Sequence, residues 1–591
     1  MGAVRLDKGG VGFRVWAPNA DAVSVVGSFN DWNDRAHPLA RDGAGNWSGV
    51  VPKAKAGDEY RYAIRRGENT FTRIDPRALK VTNSIGNGIL WWPTRAAGGP
   101  RFTLPAQNEM IIYELHVGTF DAIRGKSPGT FDSLIAKLPH LRDLGVNVIE
   151  VMPVTEFAGD FSWGYNPAHP FAVESAYGGP EKFSALVQAA HAHGIGVILD
   201  VVYNHLGPSD LSLWQFDGWN ENNLGGIYFY NDGRAKTPWG DTRPDYGRGE
   251  VRTYLRDNAL MWLRDFGVDG LRWDMALYIR TVNGNQDPGD ELKDGWSLMQ
   301  WINDELRQEF PGAFTIAEDM HNSEWLVKGT GAGGAGFNAQ WDAAFVHPVR
   351  AILVATDDAH RDLNAVIGAL KNSYDGDSFK RVIYDESHDE VANGKARIPS
   401  EIHPADPDSY HARKRALLGA ALTLVTPGVP MLFQGQEFLE DEWFRDSVPL
   451  DWAKCRRFAG ILRAHQDLIA LRLNRHGHSK GLTGAYLETH HVDHGRKVLA
   501  IHRRYDGAPG DDVIAIFNFS THDVPDCVVG VPAGGTWRVR FNSDSTHYSA
   551  DFQDRLAHDF TAAPEPADGL GFRITAGLAP YSVIILSQDP A

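Results

Sequence analysis

Four short segments of the 591-residue chain set carboxylates, histidines and an arginine at the ends of apolar runs: Asp200-Val-Val-Tyr-Asn204-His205, Gly270-Leu-Arg272-Trp-Asp274, Ala317-Glu318-Asp319 and Ser387-His388-Asp389-Glu390. These residue types serve nucleophilic displacement and proton transfer, one carboxylate attacking while another carries the proton. Taken singly, a strand-end carboxylate is as readily a helix cap or an ion-pair partner as a catalyst. Taken together, in this order, they specify a reaction. Arg272 lies two positions before Asp274, so on a strand both side chains face the same way, and the guanidinium is expected to keep Asp274 ionised near neutral pH.

The elements that must position these residues are legible in the pattern. From about residue 108, apolar strand runs alternate with amphipathic helical stretches such as Glu181 to His193. The runs are Met110–Val117, Val146–Pro153, Gly196–Tyr203, Val268–Met275, Phe314–Met320, Gln340–Val346, Arg381–His388 and Val429–Gln434. Eight such strands predict an α/β fold of the TIM (β/α)8 type over 105–478, whose active face lies at the C-terminal strand ends. Before it, short alternating runs (Gly12–Trp16, Ala22–Val26, Tyr60–Ile64) predict a β-sandwich over 1–104. After a helix-like stretch near Cys455 to Arg475, the runs Lys497–Arg503, Val513–Asn518 and Tyr581–Leu586 predict a C-terminal antiparallel all-β domain over 479–591. The glycine-rich Gly329 to Gly336 reads as a loop.

Composition narrows the partners. The chain is 43% hydrophobic and 23% charged, and no apolar run approaches the roughly 20 residues that span a bilayer. The first residues lack the basic start and apolar stretch of a secretory signal, so the expected location is the cytoplasm. A formal charge of -17 argues against nucleic acid or an anionic membrane and for a neutral substrate. Cys455 and Cys527 have neither disulfide nor metal spacing and read as two thiols.

The four strand-end segments closely resemble the four motif regions of the α-amylase family, glycoside hydrolase family 13, over roughly residues 105 to 475. The resemblance implies a retaining α-glucan-active enzyme with Asp274 as nucleophile, Glu318 as general acid/base and Asp389 as a carboxylate holding sugar hydroxyls. It further makes Arg272 the cation orienting Asp274, His205 and His388 hydroxyl-binding histidines, and Asp200 a structural acid behind the nucleophile. Tyr165, in Ser162-Trp-Gly-Tyr-Asn-Pro167, is similar to the tyrosine that stacks on the sugar being cleaved. No cofactor is expected. His205 and His388 lack metal spacing, and Asn204, though it matches an amylase calcium-ligand position, has no acidic calcium loop beside it. The implied chemistry needs Glu318 protonated until the leaving group departs, so its pKa must be raised by a dry site or a nearby carboxylate, Asp389 being a candidate.

The opening domain, with Arg14-Val-Trp-Ala-Pro18 and Val26-Gly-Ser-Phe-Asn-Asp-Trp32, resembles the family 48 carbohydrate-binding module, which makes Trp32 and Trp47 candidates for glucan contact or for core packing. The segment Glu386-Ser-His-Asp-Glu390-Val-Ala-Asn-Gly-Lys395 and the all-β ending are similar to those of 1,4-α-glucan branching enzymes. Asp-Val-Val-Tyr-Asn-His is instead similar to debranching and trehalose-releasing enzymes. The resemblance therefore implies a transferase acting on amylose, glycogen or maltooligosaccharides. An α-glucan hydrolase (α-amylase type, debranching, or maltooligosyltrehalose trehalohydrolase) and a non-catalytic glucan-binding protein are the alternatives. The aromatic stretches Trp214 to Trp219 and Tyr228 to Trp239 could form sugar subsites or pack against the barrel.

Overall fold

The computed structural model describes residues 1–93, 101–508, 510–555 and 558–590. Eight parallel strands close into a barrel: β1 (Ile112–Leu115), β2 (Val148–Val151), β3 (Gly196–Val201), β4 (Gly270–Trp273), β5 (Phe314–Ala317), β6 (Ala339–Trp341), β7 (Arg381–Ile383) and β8 (Val429–Phe433). Each falls inside or against an expected apolar run, and every residue of these strands is buried, as strands covered on both faces require. One expectation needs correcting. The run Gln340–Val346 is not a single strand: it stops at Trp341, and helix Ala343–Val354 begins at once. Asp342 is the cause, its carboxylate accepting the Ala344 N–H at 3.0 Å as an N-cap.

The first domain packs a four-stranded sheet and a second sheet built on Ala22–Gly27, Glu59–Arg66 and Asn69–Arg73 into a sandwich. It is fastened to the long loop after β3. Arg73 donates to the Trp214, Gln215 and Phe216 carbonyls at 3.1 to 3.4 Å, Asn19 donates to Asp217, and Trp16 meets Tyr228 edge to face at 5.6 Å. The stretch Trp214 to Trp219 is thus docked against the first domain, and neither of its tryptophans lines the catalytic cavity. The last domain is a six-stranded and a two-stranded antiparallel sheet, and a fully buried ion pair, Lys414 Nζ to Asp544 Oδ1 at 2.6 Å, ties it to the barrel. Among the described residues no helix is long and apolar enough to cross a membrane.

Candidate active site

The backbone register decides how the carboxylates meet. Trp273 on β4 pairs with Ala317 on β5, so Asp274 and Glu318 each leave their strand at the same level, one residue later. The Glu318 N–H donates to the Trp273 carbonyl at 3.1 Å and the Ala276 N–H to the Glu318 carbonyl at 2.7 Å, which keeps the two strand ends zipped together. Neighbouring strands lie about 4.8 Å apart, close to the roughly 5 to 5.5 Å between the carboxyls of retaining glycosidases. On the other side of β4, Asp200 of β3 pairs with Arg272.

Arg272 is fully buried and serves three acids. Its Nη1 donates to Asp200 Oδ2 at 2.6 Å and to Asp274 Oδ1 at 3.2 Å, and Nη2 lies 2.8 Å from Glu318 Oε2. The Trp341 ring, 4.3 Å from the guanidinium, holds it in place. Asp274 is also gripped by Asn204, whose Nδ2 donates to Asp274 Oδ2 at 2.7 Å and to its carbonyl at 3.0 Å. Asn204 Oδ1 in turn meets His205 Nδ1. The amide of Asn204 is thus committed to the carboxylate beside it.

Burial sets the protonation states. It raises the Asp274 carboxyl to about 6, although Arg272 pulls the other way. Desolvation outweighs the guanidinium, which nevertheless limits the rise, so that Asp274 is mostly ionised at neutral pH. Glu318 is raised to about 7, first by burial against the pull of Arg272, then by repulsion from Asp274 and, after it, Asp389. Its Oε2 accepts the Met275 N–H at 2.9 Å. Met275 adopts φ 37, a left-handed conformation that costs a non-glycine residue energy and that the Glu318 contact helps to fix.

A cavity of about 630 Å³ opens above these groups, lined by Tyr165, His205, Trp239, Asp274, Met275, Glu318, Met320, His388 and Asp389, with Trp163, Asn393 and Asp446 among its other walls. Tyr165 donates to Asp200 Oδ2 at 2.6 Å and stacks on His388 at 4.9 Å. His205 stacks on Trp239 at 4.7 Å; burial lowers its pKa to about 3, and its buried Nε2 has no partner within the protein. Asp389 is the exposed acid of the set, 3.7 Å from His388 Nε2.

The structure brings Asp274, Glu318, Asp389, Tyr165, His205 and His388 around one cavity, with Arg272 and Asp200 as its floor. Trp47 stands apart. Buried in the sandwich, with its Nε1 donating to the Ala17 carbonyl at 2.9 Å, it cannot stack on a sugar, and its candidacy as a glucan contact is withdrawn. Trp32 is 42% exposed. Glu390 turns away from the cavity to meet Lys395 at 2.9 Å and Arg350 at 3.6 Å, so this part of the fourth segment braces its own loop.

Several participants escaped sequence reasoning. Glu114 of β1 pairs with His388 Nδ1 and accepts the His388 N–H at 3.1 Å. Burial pulls the imidazole down, yet Glu114 and Asp389 outweigh it and raise His388 to about 10, making it a cation. Glu150 of β2 has both carboxyl oxygens buried without a partner, and desolvation pushes its pKa well above the ordinary value. The signal was present: each is a carboxylate inside an otherwise apolar barrel strand, which is too costly to be casual.

Three family profiles match the chain: "Carbohydrate-binding module 48 (Isoamylase N-terminal domain)" at residues 1–78, "Alpha amylase, catalytic domain" at 101–215 and "Alpha amylase, C-terminal all-beta domain" at 489–589. Among curated proteins, the chain is 34% identical to the 1,4-alpha-glucan branching enzyme GlgB of Bradyrhizobium sp. strain BTAi1, over 91% of this chain and 77% of that one. It is 32% identical to the enzyme of the same name from Rhodopseudomonas palustris strain BisA53, over 98% and 82%. Among solved structures, a pullulanase complexed with maltotetraose from Anoxybacillus sp. LM18-11 superposes with a TM-score of 0.77 at 21% identity, covering 100% of this chain and 87% of that one. At that identity the likeness shows the fold.

Proposed function

Because the chain belongs to the family of 1,4-alpha-glucan branching enzymes, built on the α-amylase-type barrel, we propose that it cuts an α-1,4 linkage of a glucan and transfers the released segment to a 6-hydroxyl through a covalent intermediate on Asp274. The observation that carries the chemistry is the level pairing of Asp274 and Glu318 at the ends of β4 and β5, with Arg272 shared between them. Kinship with branching enzymes carries transfer over hydrolysis.

In the first half, Asp274 attacks the anomeric carbon, the glycosidic C–O bond breaks, and its electron pair leaves on the oxygen, which takes the Glu318 proton. In the second half, an acceptor 6-hydroxyl attacks the anomeric carbon, Glu318 takes the hydroxyl proton, the bond from that carbon to the Asp274 oxygen breaks, and Asp274 departs as a carboxylate. One α-1,4 bond is lost and one α-1,6 bond gained, with no net change in reducing ends. Arg272 holds Asp274 in line and steadies its charge. Asp389, His205 and His388 hold hydroxyls of the sugar under attack, and Tyr165 offers it a ring face. For the second half to outrun hydrolysis, the acceptor must exclude water from the ester.

The reading places the enzyme in the cytoplasm, where thiols such as Cys455 and Cys527 stay reduced, on linear stretches of amylose, glycogen or maltooligosaccharides. Its test is the fate of linear amylose: branching converts α-1,4 to α-1,6 linkages, whereas a gain of reducing ends without new branches overturns it.

A further inference from the structure

The segment leaving β5 serves two cavities. Glu318 and Met320 line the catalytic one, while Ser323 and Trp325, a few residues on, line a second cavity of about 300 Å³ with Arg280, Glu291, Lys293 and Trp296. An ion pair links the two linings: Arg280 of the second cavity grips Asp319, the neighbour of Glu318, with Nε at 2.6 Å and Nη2 at 2.8 Å. The Trp325 indole is 47% exposed, although the Lys328 ammonium sits 4.1 Å from its ring and Lys328 is itself held by Glu324 at 2.6 Å. Trp296, on helix Lys293–Glu309, is fixed by its Nε1, which donates to the Gly333 carbonyl at 3.2 Å. This gives the glycine-rich loop a purpose. Gly333 adopts φ 92, and a Cβ at Gly334 would lie 2.2 Å from the Lys328 carbonyl, so glycines allow the loop to close against both tryptophans.

We propose that this cavity is an outer glucan subsite on the leaving-group and acceptor side of the bond being cut. The inference rests on the function proposed above and extends it. A proton donor must face the oxygen of the departing chain, so the glucan beyond that oxygen runs over the segment that follows Glu318. Two braced indoles offer the apolar faces of its glucose units a stacking surface, and the charged and hydroxyl groups of Arg280, Glu291, Lys293 and Ser323 stand at hand for their hydroxyls. A transferase has particular need of such a surface, since an acceptor chain must be waiting before water can enter.

The test is the consumption of amylose, read as loss of iodine staining, by wild type, Trp325→Ala and Trp325→Phe. Staining falls whether chains are branched or hydrolysed, so the result is independent of the transferase reading, which linkage analysis tests separately. The expected result is a KM for amylose raised ~10-fold in Trp325→Ala, with kcat within about twofold and KM largely restored in Trp325→Phe. An unchanged KM overturns the proposal. So does a fall in kcat without a change in KM, which would mean that the indole only supports the Glu318 loop.

Discussion

The backbone N–H of Met275, the residue directly after Asp274, donates to Glu318 Oε2 at 2.9 Å. The strand end that presents one acid therefore also aims the other. With Arg272 within 3.2 Å of both carboxylates, the pair behaves as one electrostatic unit, and its properties can be perturbed from either member.

Removing either acid should stop the chemistry and spare the fold. Asp274→Asn and Glu318→Gln keep size and shape in a buried floor, so both should melt as cooperative proteins while amylose turnover falls ~10⁴-fold or more. Near-normal turnover in either variant would remove that residue from its role.

The pair also predicts a narrow pH optimum. Asp274 must be ionised and Glu318 protonated, and their carboxyls are raised to about 6 and about 7, so kcat/KM should climb through the first value and decline through the second. Stability carries the same signature. A carboxyl with a raised pKa binds its proton more tightly in the folded chain; its favourable contribution is present below the ordinary 4.5 and is lost as pH rises through about 7. Glu318→Gln cannot ionise, so its melting temperature should gain on wild type between pH 4.5 and pH 8. A difference that does not change with pH contradicts the assignment.

Glu114 acts through His388. In Glu114→Gln the histidine loses the charge that opposes burial, and its pKa should drop from about 10 toward the neutral range. Activity should fall ~10-fold at pH 7.5, recover in part as pH is lowered, and be better preserved in Glu114→Asp. A uniform loss at every pH would assign Glu114 a purely structural part.

How much of this was legible beforehand follows from the physics of each residue. The eight barrel strands were readable because strands buried on both faces must be apolar runs, and the four acidic ends were readable because they terminate those runs. Their mutual pairing follows from the register of β3, β4 and β5. Glu114 with His388 was hidden, since β1 and the loop after β7 come within reach only when β8 closes the barrel against β1. Asp342 ended its strand as a cap, a local hydrogen bond inside an apolar run that hydrophobicity alone does not register. Trp47 and Trp32 are the same residue type in the same domain, and only tertiary burial separates a core indole from an exposed one.

That separation can be measured. Trp47→Ala should cost ~3 to 5 kcal/mol of stability, whereas Trp32→Ala should stay within about 0.5 kcal/mol, both read by denaturant unfolding. Equal effects would contradict the packing described here.

The central claim is chain transfer through Asp274, and the most direct measurement follows linear amylose during incubation with the protein, scoring α-1,6 linkages by proton NMR and reducing ends by a reducing-sugar assay in the same samples. The account predicts a growing α-1,6 signal with little net rise in reducing ends, and neither change with Asp274→Asn. Rising reducing ends without α-1,6 linkages would contradict it and make the protein a hydrolase.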